Sequence, residues 1–391
     1  LLAAIPMPGI DTASLSRLLA GNQFLGLLDI FSGGGISTLS IVMLGVGPYI
    51  TASIIVQLLT MMFPSMKAKM QEEGEAGRQK LSQYSRYAAV PLAAIQAFAF
   101  INLFQNQNVI PHFSGLTMVV SILVITAGSL LLMWIGELVS EFGIGNGVSL
   151  IIFAGIVAAL PKTLFQIIAG FDIANLPFYL LSLAIGLVVI IAVVVVTEAE
   201  RSVPVTYAKQ VRGNKVYGGV STYLPLRLNQ AGVIPIIFAL SILIFPQIIS
   251  NYFSNSSNLA IADAATSVSS FLADPWTHAI LYFVLVFIFT YFYTAVTFDP
   301  KQISENLQKG GAFIPGVRPG ESTMEYLGKI VTRITLVGAL FLGIIAVLPL
   351  VTQGITGNQS LAIGGTALLI VVSVVLDLLK KIDAQVSMRE Y

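Results

Sequence analysis

Cysteine is absent from this chain of 391 residues, and histidine occurs only twice, at His112 and His278. Without cysteine, disulfides, thiolate nucleophiles and Cys-ligated metals are excluded. Two histidines far apart in sequence are too few for the usual zinc site without help from carboxylates. The G-x-S-x-G, H-E-x-x-H and P-loop motifs of common enzymes are also missing. We therefore expect no enzyme activity, no cofactor and no metal.

Charge is scarce as well. Only 10% of the residues are charged, against about 25% in a typical soluble domain, whereas 56% are hydrophobic and the mean hydropathy is +0.87. So much apolar surface cannot be hidden in one water-soluble core, because a fold of this size still exposes much of its surface. The net charge of +1 gives no argument for a nucleic-acid partner. The solvent of this chain is therefore predicted to be lipid.

Long apolar runs are what the chain has instead. A helix needs about 20 mostly apolar residues to cross roughly 30 Å of hydrocarbon, which predicts an all-α membrane protein. The runs are Leu44–Phe63, Tyr87–Phe104, Leu116–Ile135, Ile144–Leu160, Pro177–Val196, Ile234–Tyr252, His278–Val296, Ile330–Pro349 and Ile363–Leu379. Leu1–Ile5 resembles the end of a tenth apolar run. We therefore expect the first transmembrane helix to be largely missing from this sequence.

The basic residues predict the topology. Of the 20 Lys and Arg residues, all but Arg17 and Lys162 lie in the segments 64–86, 198–228, 298–333 and the tail 380–391. Alternate threading brings all four segments to one side, which the positive-inside rule makes cytoplasmic. The short loop 136–143 falls on that side too. Ten transmembrane helices with both termini cytoplasmic then divide into two inverted five-helix halves, 1–170 and 171–391.

Residues 24–42 are apolar but interrupted by Gly33, Gly34 and Gly35. The part before the glycines is too short to span, which favours a re-entrant helix lining a cavity. A loop on the membrane surface is the alternative, and the residues alone do not separate the two.

Ionisable groups are nearly absent from the span centres, and Gln57 is the main polar residue deep within one. This pattern argues against an ion-coupled carrier. The segment 143–147 is interpreted as a flexible lead into a span.

Several stretches in order resemble the SecY family, which includes Sec61-alpha and contains the large subunits of protein-conducting channels. They are Ala3–Gly9, Gly45–Gln57, Gly143–Ser149 with Ile151–Ile156, Leu224–Asn229 with Ala231–Pro235, Gly311–Gly320 and Gly364–Thr366. The resemblance implies a passive channel in the plasma membrane that translocates unfolded polypeptides and releases hydrophobic helices laterally. It implies as partners SecE-like and SecG-like small subunits, the SecA motor ATPase, the ribosome, polypeptides with signal sequences, and membrane lipid. A secondary transporter of small solutes with inverted repeats is the alternative.

The resemblance also implies site residues. A pore ring of aliphatic side chains would comprise Val46, Ile50, Val148, Ile152, Ile237 and Ile370. A plug at about Gly26–Gly35 would include Leu27, Leu28, Ile30, Phe31, Gly33, Gly34 and Gly35. Gln57 and Asn229 would belong to a lateral gate. The cytoplasmic segments 198–228 and 298–328 would dock the motor or ribosome through Arg318, Arg212, Lys215 and Arg227. Without the resemblance, the ring residues would be interpreted as ordinary core or lipid-facing aliphatics.

Overall fold

The structure is a computed structural model. It describes residues 2–6, 29, 32, 35–63, 75–106, 109–111, 115–169, 176–207, 210–212, 215–217, 221–253, 258–356 and 365–389.

Helices dominate the described part of the chain. In chain order they are α1 (Gly47–Met62), α2 (Glu75–Asn106), α3 (Gly115–Phe142), α4 (Gly147–Ala169), α5 (Leu176–Glu198), α6 (Ile234–Phe253), α7 (Leu259–Ala273), α8 (Pro275–Thr297), α9 (Pro300–Lys309), α10 (Glu321–Thr356) and α11 (Gly365–Arg389). Five strands complete the set: β1 (Glu200–Tyr207), β2 (Gln210–Arg212), β3 (Lys215–Tyr217), β4 (Ser221–Arg227) and β5 (Ala312–Phe313).

Each of the apolar runs found in the sequence coincides with a helix over most of its described length. Within the described residues, five stretches are long and apolar enough to cross a bilayer. They are Gln79–Gln105, Gly115–Phe142, Tyr179–Glu198, Pro275–Lys309 and Glu321–Val351. Shorter apolar helices cover Gly47–Thr60, Gly147–Pro161 and Ile234–Leu243. The prediction of an all-α membrane protein is confirmed, whereas the count of ten spans stays a prediction.

Several predicted boundaries are wrong. Helix α2 begins at Glu75, twelve residues before the apolar run, and α10 begins at Glu321, nine residues before its run. The predicted loop 136–143 is helical up to Phe142, and α4 continues to Ala169. Hydropathy detects only the part of a helix that lies in lipid, because the backbone hydrogen bonds continue unchanged into polar sequence.

Helix starts are fixed by local capping. Asp274 precedes Pro275 at the start of α8, and its carboxylate accepts hydrogen bonds from the backbone N–H (2.9 Å) and the hydroxyl (2.7 Å) of Thr277. Asp299 precedes Pro300 in the same way and accepts from the N–H of Lys301 at 3.0 Å. Proline fits the first turn because its missing N–H would have no partner there. Together the two caps set where α8 and α9 begin.

The segments 198–228 and 298–328, which connect apolar runs in the sequence, contain the five strands. Strand β1 pairs antiparallel with β4, opposing Val203 to Leu224, and with β5, opposing Thr206 to Phe313. The sheet order is β4-β1-β5, so one strand from the second segment joins two from the first. Strands β2 and β3 form a separate hairpin. The two segments therefore share one small folded unit.

Candidate pore and gate

All six aliphatic residues predicted for the pore ring belong to one hydrophobic cluster. Val46, Ile152 and Ile370 are buried members, exposed by 3%, 3% and 1%. The other three, Ile50, Val148 and Ile237, are partly buried and pack against the same cluster. The six come from the beginnings of α1, α4, α6 and α11, which are far apart in sequence. Tertiary packing thus brings together side chains that the sequence could relate only through the resemblance.

The first ring pair is positioned by a tight approach of the chain to α3. Gly45 has φ +57°, in the region that favours glycine, and its carbonyl accepts a 2.8 Å hydrogen bond from the buried Ser129 hydroxyl. Gly128 lies directly against the Ile41 carbonyl, leaving no room for a side chain. Pro48 occupies the first turn of α1. These contacts fix where Val46 lies relative to α3.

The second predicted pair, Val148 and Ile152, follows a tight turn within 143–147. Gly147 lies against the Gly136 carbonyl of α3, and its N–H donates to the Ser140 hydroxyl at 2.7 Å. The Asn146 side chain accepts from the N–H of Val148 at 3.0 Å, capping α4. Gly145 has φ +99°. Each glycine here meets a steric demand, and together they set the position of Val148 on α4.

Helix α6 connects the two halves. It packs against α1 and α2 on one side and against α8 on the other, and it carries Ile237 close to its beginning. Helix α11 packs against α4, α5 and α10 and carries Ile370 in its second turn. These two helices connect the elements that carry the predicted ring residues, since α6 packs against α1 and α11 packs against α4.

Most of the predicted plug lies outside the described residues. Of the seven residues named for it, Gly35 is described, and the other six lie outside the described residues: Leu27, Leu28, Ile30, Phe31, Gly33 and Gly34. The hypothetical side chain of Gly35 would lie 3.1 Å from the Val42 carbonyl, so the chain is closely packed there. Asp29 accepts a 2.6 Å hydrogen bond from the N–H of Ser37, which ties the two sides of the glycines together.

The two predicted gate residues carry buried amide oxygens. Asn229 is 7% exposed, and its NH₂ group donates to the Gly232 carbonyl at 3.3 Å. Its oxygen and the Gln57 side-chain oxygen have no hydrogen-bond partner among the described residues. A buried acceptor without a partner costs roughly 1–3 kcal/mol. These two oxygens therefore form no polar contact between helices among the described residues.

Two of the predicted docking residues belong to the unit built on the β4-β1-β5 sheet, and the other two belong to the separate β2–β3 hairpin. Arg318 is exposed in the turn between β5 and α10, where its carbonyl accepts a 2.8 Å hydrogen bond from the Thr323 hydroxyl. Gly316 and Gly320, with φ +84° and +94°, shape this turn. Arg227 is exposed at the end of β4. Arg212 and Lys215 face each other in the β2–β3 register, and nothing is described of their side chains.

A hydrophobic core beneath the sheet was missed by the sequence analysis. It unites buried residues of the sheet segments with the start of α10: Val203, Val205, Leu226, Ala312, Ile314, Leu327, Ile330 and Val331. The alternation of buried valines with exposed neighbours in β1 is the period of a half-buried strand and was the available signal. This core makes the Arg318 turn and the strand leading into α6 parts of one body.

The SecY family profile matches residues 40–379. The chain belongs to the SecY family. The protein translocase subunit SecY of Streptomyces coelicolor is 42% identical over 406 residues, which cover 99% of this chain and 91% of that protein. The SecY subunit of Mycobacterium tuberculosis is 41% identical over 409 residues, covering 100% and 92%.

Solved structures agree on the SecY fold. One described as a protein-conducting channel matches with a TM-score of 0.62 at 19% identity, covering 92% of this chain and 91% of that chain. Another concerns the SecY plug domain, said to stabilise the closed state of the translocation channel, and has a TM-score of 0.60 at 19% identity, covering 96% and 93%. Canine Sec61 in a ribosome–channel complex matches at 0.57 and 19% identity, covering 96% and 93%. The family and the named relatives do not favour the small-solute transporter considered from the sequence.

Proposed function

We propose that this chain is the central, multi-pass membrane subunit of a protein-conducting channel that translocates polypeptides and releases hydrophobic helices sideways into the bilayer. The observation that carries the proposal is that six aliphatic side chains, from the beginnings of four helices distant in sequence, belong to or pack against one hydrophobic cluster. Membership of the SecY family and the names of its relatives support the same conclusion.

An apolar ring suits this task for a physical reason. A narrow hydrophobic constriction dewets and blocks ions while it makes no directional bonds to a passing chain. Side chains of Val and Ile thus form a seal that does not depend on the sequence of the substrate. In our proposal, Val46 and Ile50 face Val148 and Ile152 across the pathway, and Ile237 and Ile370 close the ring. The Gly-rich segment with Gly35 forms the plug.

The lateral gate of the proposal lies where α6 meets α1 and α2. Its amides, Gln57 and Asn229, contribute little to closure because their oxygens lack partners among the described residues. Polar contacts between membrane helices contribute only about 0.6–2 kcal/mol even when made. An apolar signal helix can therefore part α6 from α1 by offering apolar surface of its own.

The positions of the basic residues support the proposed membrane orientation and the proposed docking residues. The basic segments 198–228 and 298–328 face the cytoplasm, with both termini on that side of the plasma membrane, and Arg318, Arg227, Arg212 and Lys215 dock SecA or the ribosome. SecE-like and SecG-like small subunits complete the channel. The chain itself performs no catalysis, so the energy of transport comes from the docked motor.

A stalled export substrate tests the proposal. A photo-crosslinking amino acid at Ile237 should capture the translocating polypeptide. The same group at Ile280, a lipid-facing residue of α8 that is 65% exposed, should not. Capture at neither position, or equal capture at both, would overturn the channel assignment.

A further inference from the structure

A cavity of about 660 Å³ lies between α5, α8 and α10, and none of its lining residues is a proposed ring or gate residue. Its walls consist only of aliphatic and aromatic side chains: Ala184, Ile185, Val188, Val189, Phe283, Ile344, Val347, Leu348 and Val351. Specific small-molecule pockets of about 300–1,000 Å³ carry a few polar groups that orient the ligand. None of these walls offers a side-chain hydrogen bond, so the occupant must itself be apolar along its length.

The cavity opens to the lipid-facing side of the spans. At its rim Val188 is 65% and Ile344 57% exposed, and the neighbouring α5 residues Leu187 and Ile191 are exposed as well. Helices α5, α8 and α10 each lie in a stretch long and apolar enough to cross the bilayer. The surface around the opening is therefore in contact with hydrocarbon, and what enters the cavity comes from the bilayer.

A second helix fits this cavity poorly. A helix with its side chains is about 10–12 Å across, and helix interfaces in membranes are enriched in small residues that allow close approach. Eight of the nine lining residues are large or β-branched, and only Ala184 is small. A Cβ on the small residue Gly186 would instead lie 3.9 Å from Leu368 of α11, where α5 already packs. The helix-packing face of α5 is thus in use elsewhere.

One wall is held in place by a glycine. The Phe283 ring lies so close to Gly343 of α10 that a Cβ there would be 2.7 Å from two ring carbons. Phe283 stacks on Phe287 at 6.5 Å between ring centroids, and Phe287 contacts Tyr291 at 5.3 Å. The Tyr291 hydroxyl donates to the Thr332 carbonyl at 3.3 Å. This aromatic row packs the Phe283 wall of the cavity against α10.

We propose that the cavity binds one acyl chain of a membrane lipid. A flexible hydrocarbon tail matches an irregular, wholly apolar space that opens to the bilayer, and it gains dispersion contacts that a partly filled cavity lacks. The bound chain bridges α5 to the α8–α10 pair in the half of the membrane away from the sheet. Ile185, Val189, Val347 and Leu348 of its lining pack in the same hydrophobic cluster as the proposed ring residues, but no ring or gate residue lines the cavity itself.

Photoactivatable phosphatidylglycerol with a diazirine in its acyl chain, reconstituted in vesicles with the purified full-length protein, tests this. We expect labelling concentrated on the α5 and α10 peptides that line the cavity. Ala184→Phe, which fills the space, should lose most of that labelling. The matched Leu187→Phe, on the lipid-facing side of the same helix, should keep it.

Labelling spread evenly over all exposed faces, or unchanged in Ala184→Phe, would overturn the proposal. A thermal unfolding curve shows that each variant is folded before labelling is compared. A photo-crosslinker at Val188 provides an independent readout in native membranes, where lipid adducts are expected. Capture of a polypeptide at that position would assign the cavity to a protein partner and overturn the lipid site.

Discussion

The hydroxyl of Ser129 on α3 donates a 2.8 Å hydrogen bond to the carbonyl of Gly45, immediately before the first residue of the proposed ring. Both groups are buried. The bond satisfies a carbonyl in a turn where no helical partner is available, and it ties the start of α1 to α3. A side chain 84 residues away thus determines where Val46 lies.

Ser129→Ala should lower stability by about 1–3 kcal/mol, because the Gly45 carbonyl would stay buried without a partner. Ser85→Ala is the matched control: Ser85 is 3% exposed against 2% for Ser129, but it donates to the Leu81 carbonyl of its own helix. We expect that control to be nearly neutral. Thermal unfolding of the purified proteins measures both, and equal losses would contradict the assigned role of Ser129.

Ile237→Asn should increase ion leak through vesicles and allow weak signal sequences to be exported, since an amide in the ring holds water. Ile237 is the better test residue because it is only partly buried, whereas Ile370 is 1% exposed and its loss would also disturb packing. Ile242→Asn, which alters a residue on α6 packed against the same cluster, is the control. A leak that is unchanged, or raised equally in both variants, would remove Ile237 from the ring.

Gly338→Ala should destabilise the protein. Its new Cβ would lie 2.6 Å from the Leu228 carbonyl, just before the gate residue Asn229, so α10 or the lead into α6 must shift. Gly186→Ala meets only Leu368 at 3.9 Å and should gain up to about 1 kcal/mol of helix propensity. Melting temperatures should move in opposite directions. A Gly338→Ala variant as stable as the Gly186→Ala variant would refute the close contact.

Arg318→Glu should abolish motor-driven export while the protein still inserts into the membrane, because the charge reversal repels the acidic surface of a docked motor. Lys309→Glu reverses another exposed charge, at the end of α9 in the same segment. Export into inverted membrane vesicles, normalised to the amount of inserted protein, should fall in the first variant and persist in the second. Normal export by Arg318→Glu would exclude it from docking.

Local sequence properties were sufficient to predict the helices. An apolar run such as Pro177–Val196 commits its residues to lipid, where only a helix satisfies the backbone, so α5 followed directly from hydropathy. The ends of α2 and α10 were misplaced because polar sequence beyond the lipid boundary does not stop a helix. The small sheet was missed since strand pairing joins Thr206 to Phe313, more than a hundred residues apart.

By itself, then, the sequence determined that this is a helical membrane protein with its positive charge gathered in a few segments, since hydropathy and charge act residue by residue. Only the tertiary structure decided which faces meet. It placed Val46 and Ile370 in one cluster, gave Gly147 its contact with the Gly136 carbonyl, and left a cavity beside Phe283. Those outcomes depend on the packing of helices that are distant in sequence. Packing depends on how two surfaces fit each other, so a local sequence pattern cannot predict it.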